Sequence, residues 1–277
     1  MLHAFVIMGN HFHLAVETPQ GNLVAGMQWL QSTFATRFNR LRREHGHLFQ
    51  GRYKSLFVED GVPLGQLCHY IHLNPVRAKV VDVAHLGHYV HSSYWFLQHP
   101  RARPKFLRNE TALAAAGGLA DSRTGRRSYD AYLEWQAADG PAGKSKAYIN
   151  LSRGWALGGM EFKRALVEDY GLADEARALE LVGAREARAI RWSTALETGL
   201  KTLRRSATEL ANDSKSAPWK LALAAWLKRR TDASNGWLAL HLHLGTPSSL
   251  SHNLTCFQRT HPDRNSAWRR LIARSAA

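Results

Sequence analysis

Residues 6–16 read VIMGNHFHLAV, and this stretch decides the fold of the first part of the chain. Apolar, β-branched and aromatic residues lie on both sides of Gly9-Asn10, a two-residue turn of the kind that closes β-hairpins. The pattern therefore predicts two antiparallel strands, Leu2–Met8 and His11–Val16, joined by that turn.

The returning strand carries His11, Phe12 and His13 in succession. Side chains alternate between the two faces of a strand, so the two histidines share one face and Phe12 lies on the other. Two imidazoles on one face can share a divalent metal ion. The chain has 15 histidines, however, and a strand with two exposed histidines is the simpler alternative.

A second informative stretch is QLCHYIHLNPVRAKVV, residues 66–81. The pattern predicts a helix over Val62–Leu73. Tyr70 and Asn74 are four residues apart, which places them one turn apart on one face of a helix. Pro75 disfavours helical geometry at Asn74, so the pair is expected at the end of the helix.

Three motifs in this order resemble the HUH single-tyrosine transposases and, within them, the REP-associated tyrosine transposases. They are MGNHFHL at Met8–Leu14, GHLFQGRYK at Gly46–Lys54 and YIHLNPVRA at Tyr70–Ala78. The resemblance covers the first hundred residues or so.

The resemblance implies an α+β chain, in which a HUH domain with a ferredoxin-like antiparallel sheet precedes an all-α region. Tyr53–Val58 is expected to be a further strand of this sheet. Members of the family begin with a strand and a helix before the strand that here starts at Leu2. The domain is therefore expected to be incomplete, and poorly active or inactive. Unpaired sheet edges favour association with another chain, so a homodimer is a candidate assembly.

The resemblance also implies the chemistry. Tyr70 is expected to attack a phosphate of single-stranded or hairpin DNA, leaving a 5′-phosphotyrosine link and a free 3′-hydroxyl for strand transfer. His11, His13 and Asn74 are expected to bind Mg²⁺ or Mn²⁺, because two imidazoles, an amide oxygen and water suit such an ion. The alternatives are a catalytically inactive, transposase-derived DNA-binding protein and a metal-dependent RNA-binding or RNA-cleaving protein.

The composition fits a nucleic-acid partner. The net charge of the 277-residue chain is +15, which suits a polyanionic partner. A basic surface without specific binding is the alternative explanation of this charge. Residues 1–100 hold eleven of the 15 histidines, whereas most of the excess positive charge follows them. Cys68 and Cys256 are too few for a Cys-based zinc site and fit a reducing cytoplasm. No apolar run is long enough to span a bilayer, so no membrane association is expected.

Cationic and polar residues of the first domain are the candidate DNA contacts. A helix predicted over Leu23–Arg43 carries arginines in its last turns, where a solvated helix end is the alternative interpretation. Phe49 is expected to pack rather than to stack on bases. The candidate contacts are Arg37, Arg40, Arg42, Arg43, Gln50, Arg52, Lys54 and Arg77.

The predicted domain ranges are 1–100 for the HUH domain, 101–215 for a helical linker region and 216–277 for a DNA-binding tail. The tail begins with a basic amphipathic helix, which is expected to place Trp219 on its apolar side and Lys220 on its polar side.

The tail is predicted to hold three helices, Pro218–Arg230, Gly236–Leu242 and a third from Pro247 to about Arg259, with Thr246 as the N-cap of the third. A helix, a Gly-containing turn and a polar helix form a helix-turn-helix pattern. DNA binding is favoured over an ordinary three-helix bundle. The candidate contacts on the outer face of the third helix are Ser248, Ser249, Ser251, His252 and Asn253.

Three other tyrosines, Tyr129, Tyr132 and Tyr148, compete with Tyr70 for the role of nucleophile. None of them is expected to have an amide or histidine partner at helical spacing, so Tyr70 is preferred. The aromatic stretch around Ser92-Ser93-Tyr94 is expected to pack rather than to take part in chemistry.

Overall fold

The computed structural model describes residues 1–138, 154–170, 181–259 and 262–273, and Tyr148 therefore lies outside the described residues. The fold is mixed α+β, as predicted. The chain divides into two compact units, Met1–Gly158 and Gly159–Ala277. Within the described ranges, no helix is both long enough and apolar enough to cross a bilayer.

The predicted hairpin is present in the first unit. Strand β1, Leu2–Ile7, pairs antiparallel with strand β2, Phe12–Val16, and Val6 lies opposite His13. The turn is closed by the backbone N–H of Met8, which donates to the carbonyl of His11 at 2.8 Å. The apolar, β-branched composition and the two-residue turn thus determine this element, as the sequence indicates.

The further strand of the predicted sheet is not part of the hairpin. Strand β3 is only Phe57–Val58, and it pairs parallel with strand β4, Ala156–Leu157. The antiparallel pairing expected for Tyr53–Val58 is therefore wrong. At its outer edge, β1 instead donates backbone hydrogen bonds to the carbonyls of Phe106 and His91. In the described residues the hairpin sheet is two-stranded, and a ferredoxin-like sheet is not confirmed.

Six α-helices and two 3-10 helices accompany these strands in the described part of the first unit. The α-helices are α1 Leu23–Arg42, α2 Val62–His72, α3 Asn74–Arg77, α4 Ser93–Gln98, α5 Glu110–Ala115 and α6 Arg123–Ala138, and the 3-10 helices are Val83–His88 and Pro100–Ala102. The predicted helices around Tyr70 and after Leu23 are both confirmed, each one residue shorter than expected.

Helix α2 packs on one face of the hairpin and forms the centre of the first core. Ala4, Val6 and Ile71 are buried there together with Tyr129 and Leu133 of α6. Residues well beyond position 100 thus complete the same core. The three predicted domain ranges remain predictions, whereas the packing groups α5 and α6 with the hairpin.

Helix α1 is largely exposed. Met27 is its one buried residue, whereas Trp29 is 68% and Leu41 is 82% exposed. Phe34 makes an aromatic contact with Phe49, at a ring-centroid distance of 6.2 Å. The apolar periodicity therefore predicts the helix correctly, but most of its apolar face is uncovered in the described structure.

The second unit is helical. Its helices are α7 Met160–Tyr170, α8 Leu181–Leu203, α9 Ala207–Asn212, α10 Pro218–Arg230, α11 Asn235–His241, α12 Pro247–Arg259 and α13 Ser266–Ala273, with a 3-10 helix at Pro262–Arg264. The bounds predicted for α10 are confirmed, and those of α11 and α12 agree within a residue.

Helix α10 is the central helix of this unit and is buried nearly all round. Trp219 is buried as expected, but Lys220 is also fully buried, and its position on an exposed polar side is wrong. The ammonium group of Lys220 donates to the backbone carbonyl of Asp213 at 2.8 Å. A fully buried cation needs such a partner, because an unpaired one would be strongly destabilising.

The tail helices share their core with the preceding helices. Leu196 and Leu203 of α8 and Leu210 of α9 are buried in the same cluster as α10, α12 and α13. Gly199 permits this close packing, since a Cβ there would lie 2.4 Å from a methyl group of Leu223. The folded body therefore extends upstream of residue 216, and a helix-turn-helix remains a prediction.

Candidate active site

The imidazoles of His11 and His13 lie side by side at the start of β2. Their ring centroids are 5.1 Å apart, and the ring planes are nearly perpendicular, at 84°. Nδ1 of His11 lies 2.7 Å from the side-chain carbonyl oxygen of Asn10. Because that oxygen can only accept, Nδ1 carries the proton in the neutral ring, whose Nε2 then has the lone pair. This orientation suits metal binding through Nε2.

His13 is the more buried histidine of the pair and lies beside helix α2. Burial lowers its pKa below the ordinary value of 6.5, and the neighbouring His11 lowers that pKa further. His13 is therefore a neutral imidazole near pH 7. A histidine must be neutral to bind a metal ion, so the surroundings of His13 hold it in the required state.

Helix α2 presents Tyr70 next to this pair. The ring centroids of Tyr70 and His13 are 5.7 Å apart, with the planes at 78°. The guanidinium of Arg77, in α3, lies over the Tyr70 ring, with its carbon 4.8 Å from the ring centroid. A cation is attracted to the face of an aromatic ring, and Arg77 also has the fork geometry that binds phosphate.

Asn74 lies just beyond the end of α2, as predicted, but it is the first residue of α3 and is therefore helical, contrary to the geometry expected before Pro75. Its side chain is largely buried, at 8% exposure. In residues 1–138, all of which are described, no hydrogen bond joins Asn74 to either histidine of the pair. The structure thus brings the His13 ring into contact with the rings of both His11 and Tyr70.

The donor set agrees with a divalent metal ion in part. His11 and His13 offer two imidazoles, which suit Mn²⁺ and related ions. The described part of the chain contains no group of three or more His, Cys, Asp or Glu side chains that could hold a metal ion. A site at the histidine pair would therefore need oxygen ligands from an amide, from water or from the substrate.

Sequence reasoning missed a set of buried polar residues behind Tyr70. The hydroxyls of Tyr129 and Tyr132 bond to His72 and His69 on the inner face of α2, and Tyr132 also accepts a hydrogen bond from Gln136 at 2.7 Å. The expectation of no amide or histidine partner at helical spacing is wrong for Tyr132, whose partner Gln136 lies one helical turn further along α6. Tyr132 and Gln136 are four residues apart, a helical spacing visible in the sequence. The histidine partners are distant in sequence, so spacing could not reveal them.

The predicted DNA contacts of the first unit are all exposed. Arg42 forms an ion pair with Glu44 at 3.7 Å. Phe49 packs between Phe12 and Phe34, as expected for a structural role. Exposure is required of a DNA contact and is equally found in a solvated cation, so it does not separate the two interpretations. The exposed residues are Arg37, Arg40, Arg42, Arg43, Gln50, Arg52, Lys54 and Arg77.

The predicted contacts on α12 also face solvent. Thr246 caps the helix, because its hydroxyl accepts from the backbone N–H of Ser249 at 3.2 Å. Leu250 and Leu254 are buried on the inner side, as predicted. Four of the five outward residues are exposed and Asn253 is half-buried; the exposed ones are Ser248, Ser249, Ser251 and His252.

No protein-family model, curated protein or solved structure matches this chain. The resemblance to the REP-associated tyrosine transposases therefore rests on the three sequence motifs alone.

Proposed function

We propose that this chain is a DNA nickase and strand transferase of the single-tyrosine type, with Tyr70 as its nucleophile. The observation that carries the proposal is the contact between Tyr70 and His13, whose rings lie 5.7 Å apart although the residues come from different motifs. Two sequence motifs can both match a family without their side chains lying close together in the folded chain. The active-site interpretation does require this proximity.

The reaction begins when Oη of Tyr70 attacks a phosphorus atom of the DNA backbone. The bond from phosphorus to Oη forms as the bond from phosphorus to the 3′ oxygen breaks. The phenol proton leaves to solvent, and the departing oxygen takes up a proton to become a 3′-hydroxyl. A 3′-hydroxyl of another strand then attacks the phosphotyrosine and releases Tyr70. One phosphoester is exchanged for another, so the transfer needs no nucleotide cofactor.

His11 and His13 are the residues that would hold a Mg²⁺ or Mn²⁺ ion, with Asn74 as a further ligand candidate. Such an ion, when bound, polarises the phosphoryl oxygen and stabilises the charge that develops there. Arg77 would bind the same phosphate group, and the distance of 4.8 Å from its guanidinium carbon to the centroid of the Tyr70 ring supports this role. The exposed arginines of α1 would hold the flanking DNA backbone.

The test is a covalent adduct on denaturing gels. The parent chain, incubated with a labelled single-stranded or hairpin DNA and Mn²⁺, is expected to form a protein–DNA band that survives denaturation. Tyr70→Phe removes one hydroxyl and is expected to abolish that band while DNA binding persists. Tyr89→Phe is the matched control, since its hydroxyl bonds to the backbone carbonyl of Ile7 and has no proposed chemical role.

Two results would contradict the proposal. An adduct that persists in Tyr70→Phe would exclude this residue as the nucleophile. DNA retardation without any adduct from the parent chain would favour the catalytically inactive, transposase-derived DNA-binding protein. A labelled RNA of the same sequence, run in parallel, distinguishes an RNA-directed activity.

A further inference from the structure

The inner face of helix α2 carries two buried histidines on either side of Tyr70. His69 is 1% exposed and His72 is fully buried. Each of the four ring nitrogens of this pair has a hydrogen-bond partner, and the partners come from α4, α5 and α6. Buried polar groups that are fully satisfied fix one arrangement of the elements that they join.

One consistent set of hydrogen-bond directions joins His72 to Ser93 and to Tyr129. Oγ of Ser93 donates its single proton to the backbone carbonyl of Phe5 at 3.1 Å and accepts from the backbone N–H of Phe5 at 2.9 Å. With its proton directed to Phe5, Ser93 accepts from Nε2 of His72, 2.8 Å away. Nδ1 of His72 then has no proton and accepts from the hydroxyl of Tyr129, also at 2.8 Å.

His69 also carries its proton on Nε2. Its Nε2 lies 2.9 Å from the backbone carbonyl of Ala112, which can only accept, so Nε2 carries the proton. Nδ1 then accepts from the hydroxyl of Tyr132 at 3.2 Å. Tyr132 in turn accepts from Gln136 at 2.7 Å, so its own proton is available to His69. Two histidines at a spacing of three on α2 thus each pair with a tyrosine of α6, and these tyrosines are also three apart.

The hydrogen bonds that join Tyr129, His72, Ser93 and Phe5 in series form a circuit, which links the helix of Tyr70 to the hairpin of His13. His72 joins the end of α2 to Ser93 in α4, and Ser93 is bonded to both backbone groups of Phe5 in β1. Phe5 lies opposite Leu14 in the hairpin, next to His13. The helix that carries Tyr70 is therefore tied by directed hydrogen bonds to the strand pair that carries the histidine pair.

We propose that the chain Tyr129–His72–Ser93–Phe5 is a positioning device, which sets the helix of Tyr70 against the hairpin of His11 and His13. The inference rests on the proposed function for its catalytic consequence, but the geometry that it concerns exists without DNA. His72, Ser93 and Tyr129 are positioning residues, because they contact neither the Tyr70 hydroxyl nor the histidine pair. A merely apolar interface would bury these helices as well, but without specifying their rotation and register.

The test breaks the circuit on either side of His72. Ser93→Ala removes the oxygen between His72 and Phe5. Tyr129→Phe removes only the hydroxyl that donates to Nδ1 of His72 and keeps the ring. Tyr94→Phe is the matched control, because Tyr94 is a buried tyrosine of the same core whose hydroxyl bonds to Asp130 at 2.6 Å, outside the circuit.

The first readout needs no activity. In the parent chain, selectively labelled His13 and Tyr70 are expected to give a ring-to-ring nuclear Overhauser effect, as their 5.7 Å centroid distance requires. Ser93→Ala and Tyr129→Phe are expected to weaken or remove this signal in protein that remains folded by circular dichroism. Tyr94→Phe is expected to retain it, even if its melting temperature falls by a similar amount.

The second readout is the rate of adduct formation at saturating DNA. The two circuit variants are expected to lose about tenfold or more in this rate, with the DNA dissociation constant changed by no more than about twofold, because the loss concerns geometry in the transition state rather than binding. A folding defect alone would lower the fraction of protein molecules that are active. It would not reduce the rate selectively while leaving the DNA dissociation constant unchanged, and it would affect Tyr94→Phe to the same extent.

The outcomes separate the two proposals. If the parent chain forms no adduct, the proposed function fails, and the His13–Tyr70 signal still decides the positioning role. If both circuit variants keep that signal at parent strength, the positioning device is excluded whatever the enzyme does. A loss of signal equal to that in Tyr94→Phe would also exclude it, since the effect would then follow from general destabilisation.

Discussion

The imidazole of His13 meets the phenol ring of Tyr70 at 5.7 Å between centroids, with the ring planes at 78°. One residue lies in a hairpin strand and the other on a helix, 57 positions later in the chain. The contact places the proposed nucleophile beside the proposed metal ligands.

Removal of either histidine of the pair is expected to abolish Mn²⁺-dependent cleavage, because each variant deletes a direct ligand. The variants are His11→Ala and His13→Ala, and Asn74→Ala is expected to weaken cleavage. Mn²⁺ binding, measured by electron paramagnetic resonance, is expected to fall with activity. His85→Ala, an exposed histidine elsewhere in the same unit, is the control. Activity that persists in EDTA would exclude the metal ion.

Stability is expected to fall as the pH is lowered below about 6.5, the ordinary pKa of histidine. Burial lowers the pKa of His72 to about 3, so this group stays neutral in the folded chain while it protonates in the unfolded chain. Between these two values the unfolded state binds an extra proton, and the loss approaches about 1.4 kcal/mol per pH unit. Above the ordinary value the stabilisation is fully present.

The measurement is urea unfolding at several pH values between 7.5 and 4.5, in the parent and in His72→Gln. The variant is less stable throughout but cannot titrate at this position, so its stability is expected to fall less steeply with acid. Identical slopes in the two proteins would show that His72 is accessible to protons in the folded state.

Gly65→Ala is expected to destabilise the first unit by about 1–3 kcal/mol through overpacking. A Cβ at this position would lie 2.1 Å from the Cβ of Ala115, so α2 and α5 would have to separate. Gly26→Ala is the matched control. A Cβ added there would meet nothing within 4 Å outside the adjacent backbone of its own helix, and alanine is expected to stabilise that helix by about 0.5–1 kcal/mol.

A compensating exchange checks the cause. Gly65→Ala combined with Ala115→Gly removes the clash and is expected to return the unfolding midpoint near that of the parent chain. A double variant as unstable as Gly65→Ala alone would show that the loss does not come from this contact.

Substitutions on the outer face of α12 test the helix-turn-helix. Ser249→Ala and Asn253→Ala in the full chain are expected to relax sequence preference for duplex DNA more than they reduce affinity, because base contacts specify and phosphate contacts bind. The preference is measured by competition between labelled duplexes. Thr255→Ala, on an exposed position of the same helix, is the control. Unchanged preference in both variants would favour an ordinary helical bundle.

Interactions between near neighbours in the chain determine the turns, helix ends and caps that the sequence predicts. The hairpin around Gly9-Asn10, the end of α2 near Pro75 and the Thr246 cap of α12 all follow from interactions within a few residues. Turn geometry, proline sterics and capping act between near neighbours, so a sequence displays them directly.

Only the tertiary structure decided the partners of distant groups. Three features depend on how segments that are distant in sequence pack together. They are the pairing of β3 with β4, the burial of Lys220 in the first turn of α10 and the hydrogen bond between Tyr129 and His72. Periodicity gives the face of an element and not what covers that face. For the same reason, the motifs could name Tyr70 and His13 separately, whereas their contact required the packing of α2 on the hairpin.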